Sequence, residues 1–419
     1  MSSPVNFKNI SIIKVFYLRG SEKLLMGRLA LKERKIFFEY DTEFLKIGLL
    51  LSPFKLPLKP GIIPCEDRSF DGLFGVFNDS LPDGWGRLLL DRKLMKLSIN
   101  PGELSPLDRL RYVGKNGMGA LIYEPEMGST PHSYHKDLDN IADEILQFQE
   151  NNDDQFIDDL LAMNGSSAGA RPKILINLME DPLTPNHTDR NNDWIIKFRS
   201  SFDPKDIGPI EYAYHLMAKA ANLDLPKAKL FPSKNGLGYF GVKRFDHVNG
   251  VHLHMHTISG LLHVDHKTPS LDYETLIKAT LWLTKDIRSA EKQFRIAVFN
   301  VLTHNRDDHA KNFSFLMDQK GIWYVSPAYD LTFSSGPFGE HSTMIMGEGK
   351  NPTLSHFLKL AKIVGIKQQK AIEIINEVKN AVSKWQYFAK DAGVTKISCS
   401  MIQTAMDRIA ANFKYTERT

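Results

Sequence analysis

Residues 300–315, NVLTHNRDDHAKNFSF, constrain this chain more than any other stretch. Asp307, Asp308, His309, Lys311 and Asn312 crowd together there. Before them runs an amphipathic segment (Phe294, Ile296, Val298, Phe299, Val301, Leu302), and after them an apolar, strand-like Phe313-Ser314-Phe315-Leu316-Met317. So much charge between two apolar segments costs desolvation unless it binds something, which favours a site over a solvated turn. A predicted strand, Gly321-Ile322-Trp323-Tyr324-Val325-Ser326, comes next, and then a lone acid, Asp330. An acid, an asparagine five residues on, a strand and a second acid form the order in which protein-kinase-like enzymes set a catalytic base and their metal ligands.

The chain has 419 residues with 42% apolar content, enough to bury a large core in two or more domains. Its 53 basic and 49 acidic side chains leave a net charge of +4, too balanced for a protein whose main work is wrapping nucleic acid. The two cysteines, Cys65 and Cys399, form no C-x-x-C pair, which argues against a disulfide framework or a cysteine zinc site and fits a reducing cytoplasm. The N-terminal apolar run is broken by Lys14 and Arg19, and no run is long enough to span a bilayer.

Residues 7 to about 60 read as short strands separated by polar turns. Pro53, Pro57, Pro60 and Pro64 then demand an extended segment. The phrase Ser80-Leu81-Pro82-Asp83-Gly84-Trp85-Gly86 reads as a helix start capped by Ser80 or Asp83, within a folded α+β subdomain to which no catalytic role is given. Residues 115–120, KNGMGA, read as a plain turn rather than a phosphate loop, because no helix comes directly after them.

A second glycine-bearing stretch, Asn164-Gly165-Ser166-Ser167-Ala168-Gly169-Ala170-Arg171-Pro172-Lys173, lies between a predicted helix and a predicted strand. Small residues there let backbone N–H groups approach an anion, although Walker spacing is absent and a turn is equally compatible. Lys197 sits inside the apolar strand Asp193-Trp194-Ile195-Ile196-Lys197-Phe198, an expensive position unless its ammonium meets an anion such as a phosphate. A helix over about 209–221 carries Glu211, a candidate partner for that lysine. The strand Gly238-Tyr239-Phe240-Gly241-Val242-Lys243-Arg244-Phe245-Asp246 has the form of a hinge that hydrogen-bonds an adenine edge through its backbone.

With these residues in view, the chain closely resembles the HipA family of bacterial serine/threonine kinases, the toxins of HipBA-type toxin–antitoxin modules. The resemblance spans nearly the whole chain. It rests on Phe38-Glu39-Tyr40-Asp41, Leu51-Ser52-Pro53-Phe54 and residues 73–86 in the N-terminal part. In the kinase part it rests on residues 166–173, Lys197-Phe198, Arg244-Phe245-Asp246 and residues 305–314.

The resemblance implies ATP and Mg2+ as cofactors, Asp307 as the catalytic aspartate, and Asn312 and Asp330 as magnesium ligands. It implies Lys197 as the phosphate lysine, the backbone of Lys243 and Phe245 at the adenine hinge, and Asp246 near the ribose. Ser166, Ser167, Ala168, Gly169, Ala170, Lys173 and Lys311 complete the expected nucleotide contacts. Ser166 matches the residue that family members autophosphorylate, with Ser167 as a neighbouring acceptor. Asp308 stands where a small residue is common, so it is a second candidate for the base or metal role. The implied partners are a HipB-like antitoxin, through which DNA is reached indirectly, and a protein substrate of the aminoacyl-tRNA synthetase class.

The expected architecture is a two-lobed, protein-kinase-like α+β fold, with a β-rich N-terminal subdomain (7–130), a kinase N-lobe (131–248) and an all-helical C-lobe (249–419). Two other readings compete. His252, His254 and His256 alternate along one strand, as ligands of a metal-dependent hydrolase could. Residues 360–366 and a helix over 369–382 have the Ala-x-x-x-Gly spacing of a helix-turn-helix, which is also ordinary helix packing.

Overall fold

The computed structural model describes residues 9–127, 137–150, 156–164, 169–177 and 193–413. In the first part, strands Ile62–Pro64, Lys35–Tyr40, Glu22–Lys32, Ile12–Arg19 and Leu121–Glu124 form, in that spatial order, one antiparallel sheet. Strand Ile12–Arg19 alternates as a half-buried strand should, with Ile13, Val15 and Tyr17 inward. Helix Pro106–Val113 opens on a capping box in which Ser105 and Asp108 satisfy each other's backbone N–H groups.

The second part is a four-stranded antiparallel sheet, in the order Lys173–Asn177, Asp193–Lys197, Tyr239–Lys243, Ala228–Phe231. Helix Ile207–Ala220 packs on it and presents Glu211. The helix is held from outside the sheet as well. Asp206, just before its first turn, accepts hydrogen bonds from Thr395 N–H, Thr395 Oγ1 and Ser398 Oγ at 2.7–2.9 Å. Tyr214, fully buried, meets the Trp385 ring edge-on and donates its hydroxyl to Thr303 O at 2.5 Å.

The third part centres on helix Ile287–Leu302, whose Phe294, Ala297, Val298 and Phe299 are fully buried. The expectation of an all-helical C-lobe needs correction. Strands His254–Thr257, Ser314–Met317 and Trp323–Val325 form a small sheet there, because Ser314–Met317, which leaves the acidic loop, is buried on both faces and must satisfy its backbone groups with strand partners on either side. The helix-turn-helix spacing serves packing: Leu360 and Ala361 of helix Leu354–Ile363 and Ile374, Ile375 and Val378 of helix Gln368–Val382 all belong to the core.

The N-terminal sheet shares one continuous apolar core with the C-lobe, from Val15 and Phe38 through Ile258 and Leu261 to Phe294. A second core, under the four-stranded sheet, takes Trp85 and Leu89 from helix Gly84–Lys96 of the first part. The N-terminal subdomain therefore braces both lobes.

Candidate active site

Helix Ile287–Leu302 stops at Thr303, and a chain of buried hydrogen bonds fixes the loop beyond it. Asn305 Nδ2 donates to Asn300 Oδ1, Asn300 Nδ2 to the Tyr273 hydroxyl, and that hydroxyl to Asp308 Oδ2, each at 2.9–3.0 Å. Asp308 is 0% exposed and its second oxygen accepts from the Ser342 and Thr343 amides, while His341 Nδ1 lies 3.0 Å from the first. Every acceptor it has is used inside the protein. Asp308 is therefore an anchor, and its candidacy for the base or metal role is corrected.

Asp307, one residue earlier, has a side chain 57% exposed. Asn312 donates Nδ2 to the Asp307 carbonyl at 2.7 Å, which closes the loop and leaves the Asn312 side-chain oxygen as its outward-facing acceptor. Partial desolvation pushes the Asp307 carboxyl above the usual range; His309, with Nε2 3.9 Å away, pulls against that shift, and Asp330 adds to it.

Across the cleft, Lys197 is 12% exposed at the end of its strand. Its ammonium lies 3.3 Å from Glu211 Oε2 and pairs with Asp330 Oδ1. Arg171 holds the other Glu211 oxygen at 2.5 Å and reaches Asp203 at 3.2 Å. Burial alone would raise the Asp330 carboxyl, but Lys197 and then Lys173 hold it well below the usual carboxylate range; Lys197 is raised in return by Asp330 and Glu211. Lys173, almost fully buried, has its ammonium pushed down by desolvation.

Lys173, Gly169, Lys197, Lys243, Phe245, Lys311, Asn312 and Asp330 line one cleft with Ile195, Val242 and Leu331. That composition, a largely apolar inner wall with cations and carboxylates gathered at one end, suits a ligand with a flat apolar part and an anionic tail. Ser166, Ser167 and Ala168 lie outside the described residues. Ala170 adjoins the N-terminal subdomain at Gly84.

Two nucleotide contacts expected from the sequence need correction. Asp246 is fully buried, its two oxygens held by the Arg244 guanidinium at 2.7–3.0 Å and one of them also by the Gly119 amide at 2.7 Å, so its carboxylate turns away from any ribose. The Lys243 amide N–H is committed to Lys227 O at 2.8 Å and is not a hinge donor, a bond that leaves the expectation for the Phe245 backbone untouched. Phe245 also contributes a ring, tilted against Tyr329 with centroids 5.5 Å apart.

The histidine strand does not converge on an ion. His254 Nε2 meets Leu51 O, His256 lies between Ser52 Oγ and Asp79, and His252 Nδ1 meets Gly119 O, all within 3.0 Å. Among the described residues no group of three or more histidine, cysteine, aspartate or glutamate side chains could hold a metal by itself. No helix among the described residues is long and apolar enough to cross a membrane.

Asp79, Asp83 and Met118 also line the cleft, from the N-terminal part to which sequence reasoning gave no role in the chemistry. The available signal was Asp83-Gly84-Trp85-Gly86, where two glycines occupy the first turn of a helix that ordinary propensity would fill otherwise.

Sequence comparison accounts for this arrangement. Residues 165–385 match the HipA-like C-terminal domain, and residues 21–124 match the HipA N-terminal domain. The chain belongs to the HipA family. Y4mE of Sinorhizobium fredii, named for a proposed kinase activity, is 27% identical over 244 residues, which are 55% of this HipA-family chain and 51% of Y4mE. The chain thus spans about half the length of that relative. A chain from the Shewanella oneidensis MR-1 toxin–antitoxin complex of HipA, HipB and operator DNA matches with a TM-score of 0.67 at 17% identity, over 96% of each chain. That likeness extends the HipA fold across both lobes and the N-terminal subdomain together.

Proposed function

We propose that this HipA-family chain is an ATP-dependent serine/threonine protein kinase, the toxin of a toxin–antitoxin pair. The carrying observation is Lys197, bridged between Glu211 and Asp330 in one cleft with Asn312, with Asp307 beside it, near enough that His309 and Asp330 of the cleft lining act on its carboxyl. In phosphoryl transfer the protein's main tasks are positioning and charge neutralisation. Lys197 and Lys173 would neutralise the nucleotide phosphates. Asp307 would accept the proton of the protein hydroxyl as its oxygen bonds to the γ-phosphorus and the bond to the ADP oxygen breaks.

The donor set fits magnesium. An ionised Asp330 and the Asn312 oxygen are two hard ligands, too few for an all-protein cage, as befits an ion that keeps waters and completes its shell with phosphate oxygens. When bound, that ion would supply charge neutralisation at the transferring phosphoryl group.

The substrate class we favour is an aminoacyl-tRNA synthetase, and the restraining partner a small HipB-like protein; family membership and the likeness to a chain from a HipA–HipB–DNA complex support the second. Self-inactivation on Ser166 or Ser167 belongs to the same reading, because a phosphoserine adds about −1.5 to −2 charges close to Gly169 at the cleft edge and would oppose the nucleotide phosphates. Labelled ATP added to host lysate with purified protein, then mass spectrometry of labelled species and of the chain itself, tests the whole reading. Transfer by the wild type and none by Asp307→Asn is expected; equal labelling by both proteins overturns it.

A further inference from the structure

Asp83 stands in the N-cap position of helix Gly84–Lys96, yet its carboxylate caps nothing there. An aspartate in that position normally accepts from the first-turn amides, at a benefit of about 1 kcal/mol. Here one oxygen accepts from the Gly169 amide at the end of the Gly/Ser loop, and the other takes the Lys311 ammonium at 2.8 Å. The neighbouring Trp85 amide donates to the Gly169 carbonyl at 3.1 Å, so both backbone groups of Gly169 are held by this one turn. The approach is close enough that a Cβ at Gly84 would lie 2.6 Å from Ala170 Cα, and Gly84 has φ +44 besides. Lys311 is almost completely buried, and burying an ammonium costs stability unless a partner compensates its charge.

We propose that Asp83, supplied by the N-terminal subdomain, is a positioning residue of the transfer site that sets Gly169 and the catalytic-loop Lys311 in one register. The inference rests on the kinase reading above and assigns a task to a subdomain outside the two lobes. Loop and lysine belong to different lobes, and lobes that rock independently would misplace the phosphate donor relative to Asp307. A carboxylate bonded to both removes that freedom, and the helix-capping energy it forgoes goes into the tie.

The test uses the full chain with Asp83→Asn, Lys311→Met and their combination, and with Asp108→Asn as a control that weakens the same subdomain away from the cleft. Steady-state kinetics should show kcat for Asp83→Asn reduced by a factor of about 10 to 100, with the ATP KM moved less than about threefold. The double variant should be no slower than the worse single within about twofold, and Asp108→Asn should lose melting temperature but not kcat. Wild-type kcat in Asp83→Asn, single effects that multiply in the double variant, or an equal kcat loss in Asp108→Asn would each overturn the proposal. Failure of the wild type to transfer phosphate sinks the kinase reading instead. Melting temperatures of the wild type, the two single variants and the double variant without nucleotide then still decide the Asp83–Lys311 linkage, because additive shifts mean no tie.

Discussion

In strand His254–Thr257 the imidazoles are sealed inside the protein: His256 lies between Ser52 and Asp79, while His254 meets Leu51 O through Nε2 and leaves Nδ1 buried without a hydrogen-bond partner. Residues 305–312 carry a similar density of ionisable groups and spend only some of them. Asp308 gives both oxygens to Tyr273, His341 and two amides, whereas its neighbour Asp307 keeps its carboxylate largely exposed beside His309. A run of chemical side chains is thus no site by itself; the two regions differ in whether the polar group left over is sealed in, as His254 Nδ1 is, or open to solvent, as the Asp307 carboxylate is.

The sharpest way to break this contrast is Asp307→Asn. Phosphoryl transfer should fall by about 10² to 10⁴ while folding free energy changes by less than about 0.5 kcal/mol, read by labelled-phosphate transfer and urea denaturation. In the wild type the acid limb of kcat/KM should lie above the ordinary aspartate value of about 3.9, because the base must be ionised and partial burial raises its pKa. A limb at or below that value contradicts the assignment.

Asp308→Ala inverts the outcome. It strips a charged acceptor from a fully buried hydroxyl, an imidazole and two amides, so about 2–4 kcal/mol of stability should be lost in the same denaturation experiment. Stability within about 1 kcal/mol of wild type would show that Asp308 does not anchor the loop.

Lys197→Ala should weaken ATP binding by about 10- to 100-fold, the value of one or two charge-assisted contacts, and Asp330→Ala should chiefly remove the magnesium dependence. Calorimetric titration with and without the ion separates them; unchanged affinity in both variants rules the cleft out as the nucleotide site.

The smallest effect belongs to the histidine strand. His254 is buried and its pKa is lowered to about 3, by desolvation first and then by His256. A histidine depressed in the folded state leaves stability intact above its unfolded value of about 6.5 and drains it as pH falls toward the folded one. His254→Gln should cost about 1 kcal/mol at pH 7 and flatten the decline in melting temperature between pH 6.5 and 4 relative to wild type. An unchanged slope would mean that His254 does not carry it.

The parts of this site legible in the sequence are those whose logic is local. Asp307 and Asn312 share one loop, so their spacing alone suggests a common task, and Lys197 is conspicuous as a charge in an apolar strand. Asp246 and Asp308 misled for a common reason: an acid beside a functional motif looks available until Arg244 or Tyr273 is seen to occupy it. Asp83 could not be read at all, since its partners lie 86 and 228 residues away and its local context advertises only a helix cap. The C-lobe sheet obeys the same rule. Both strands between the acidic loop and Asp330 read as strands and pair with each other, but the pairing of Ser314–Met317 with His254–Thr257 depends on chain folded in from some 60 residues earlier.

The mooring of helix Ile207–Ala220 bears on how such an enzyme could be governed. Many two-lobed kinases are throttled by swinging the corresponding helix, which withdraws its glutamate from the lysine. Here Asp206 is gripped by Thr395 and Ser398 from nearly two hundred residues downstream, and Tyr214 is wedged against Trp385. A swing would tear three hydrogen bonds, one of them fully buried, and an aromatic contact together. If the cleft transfers phosphate as proposed, that throttle is a costly one here, and the contact of Gly169 with Asp83 is the cleft-lining tie left for control to act on.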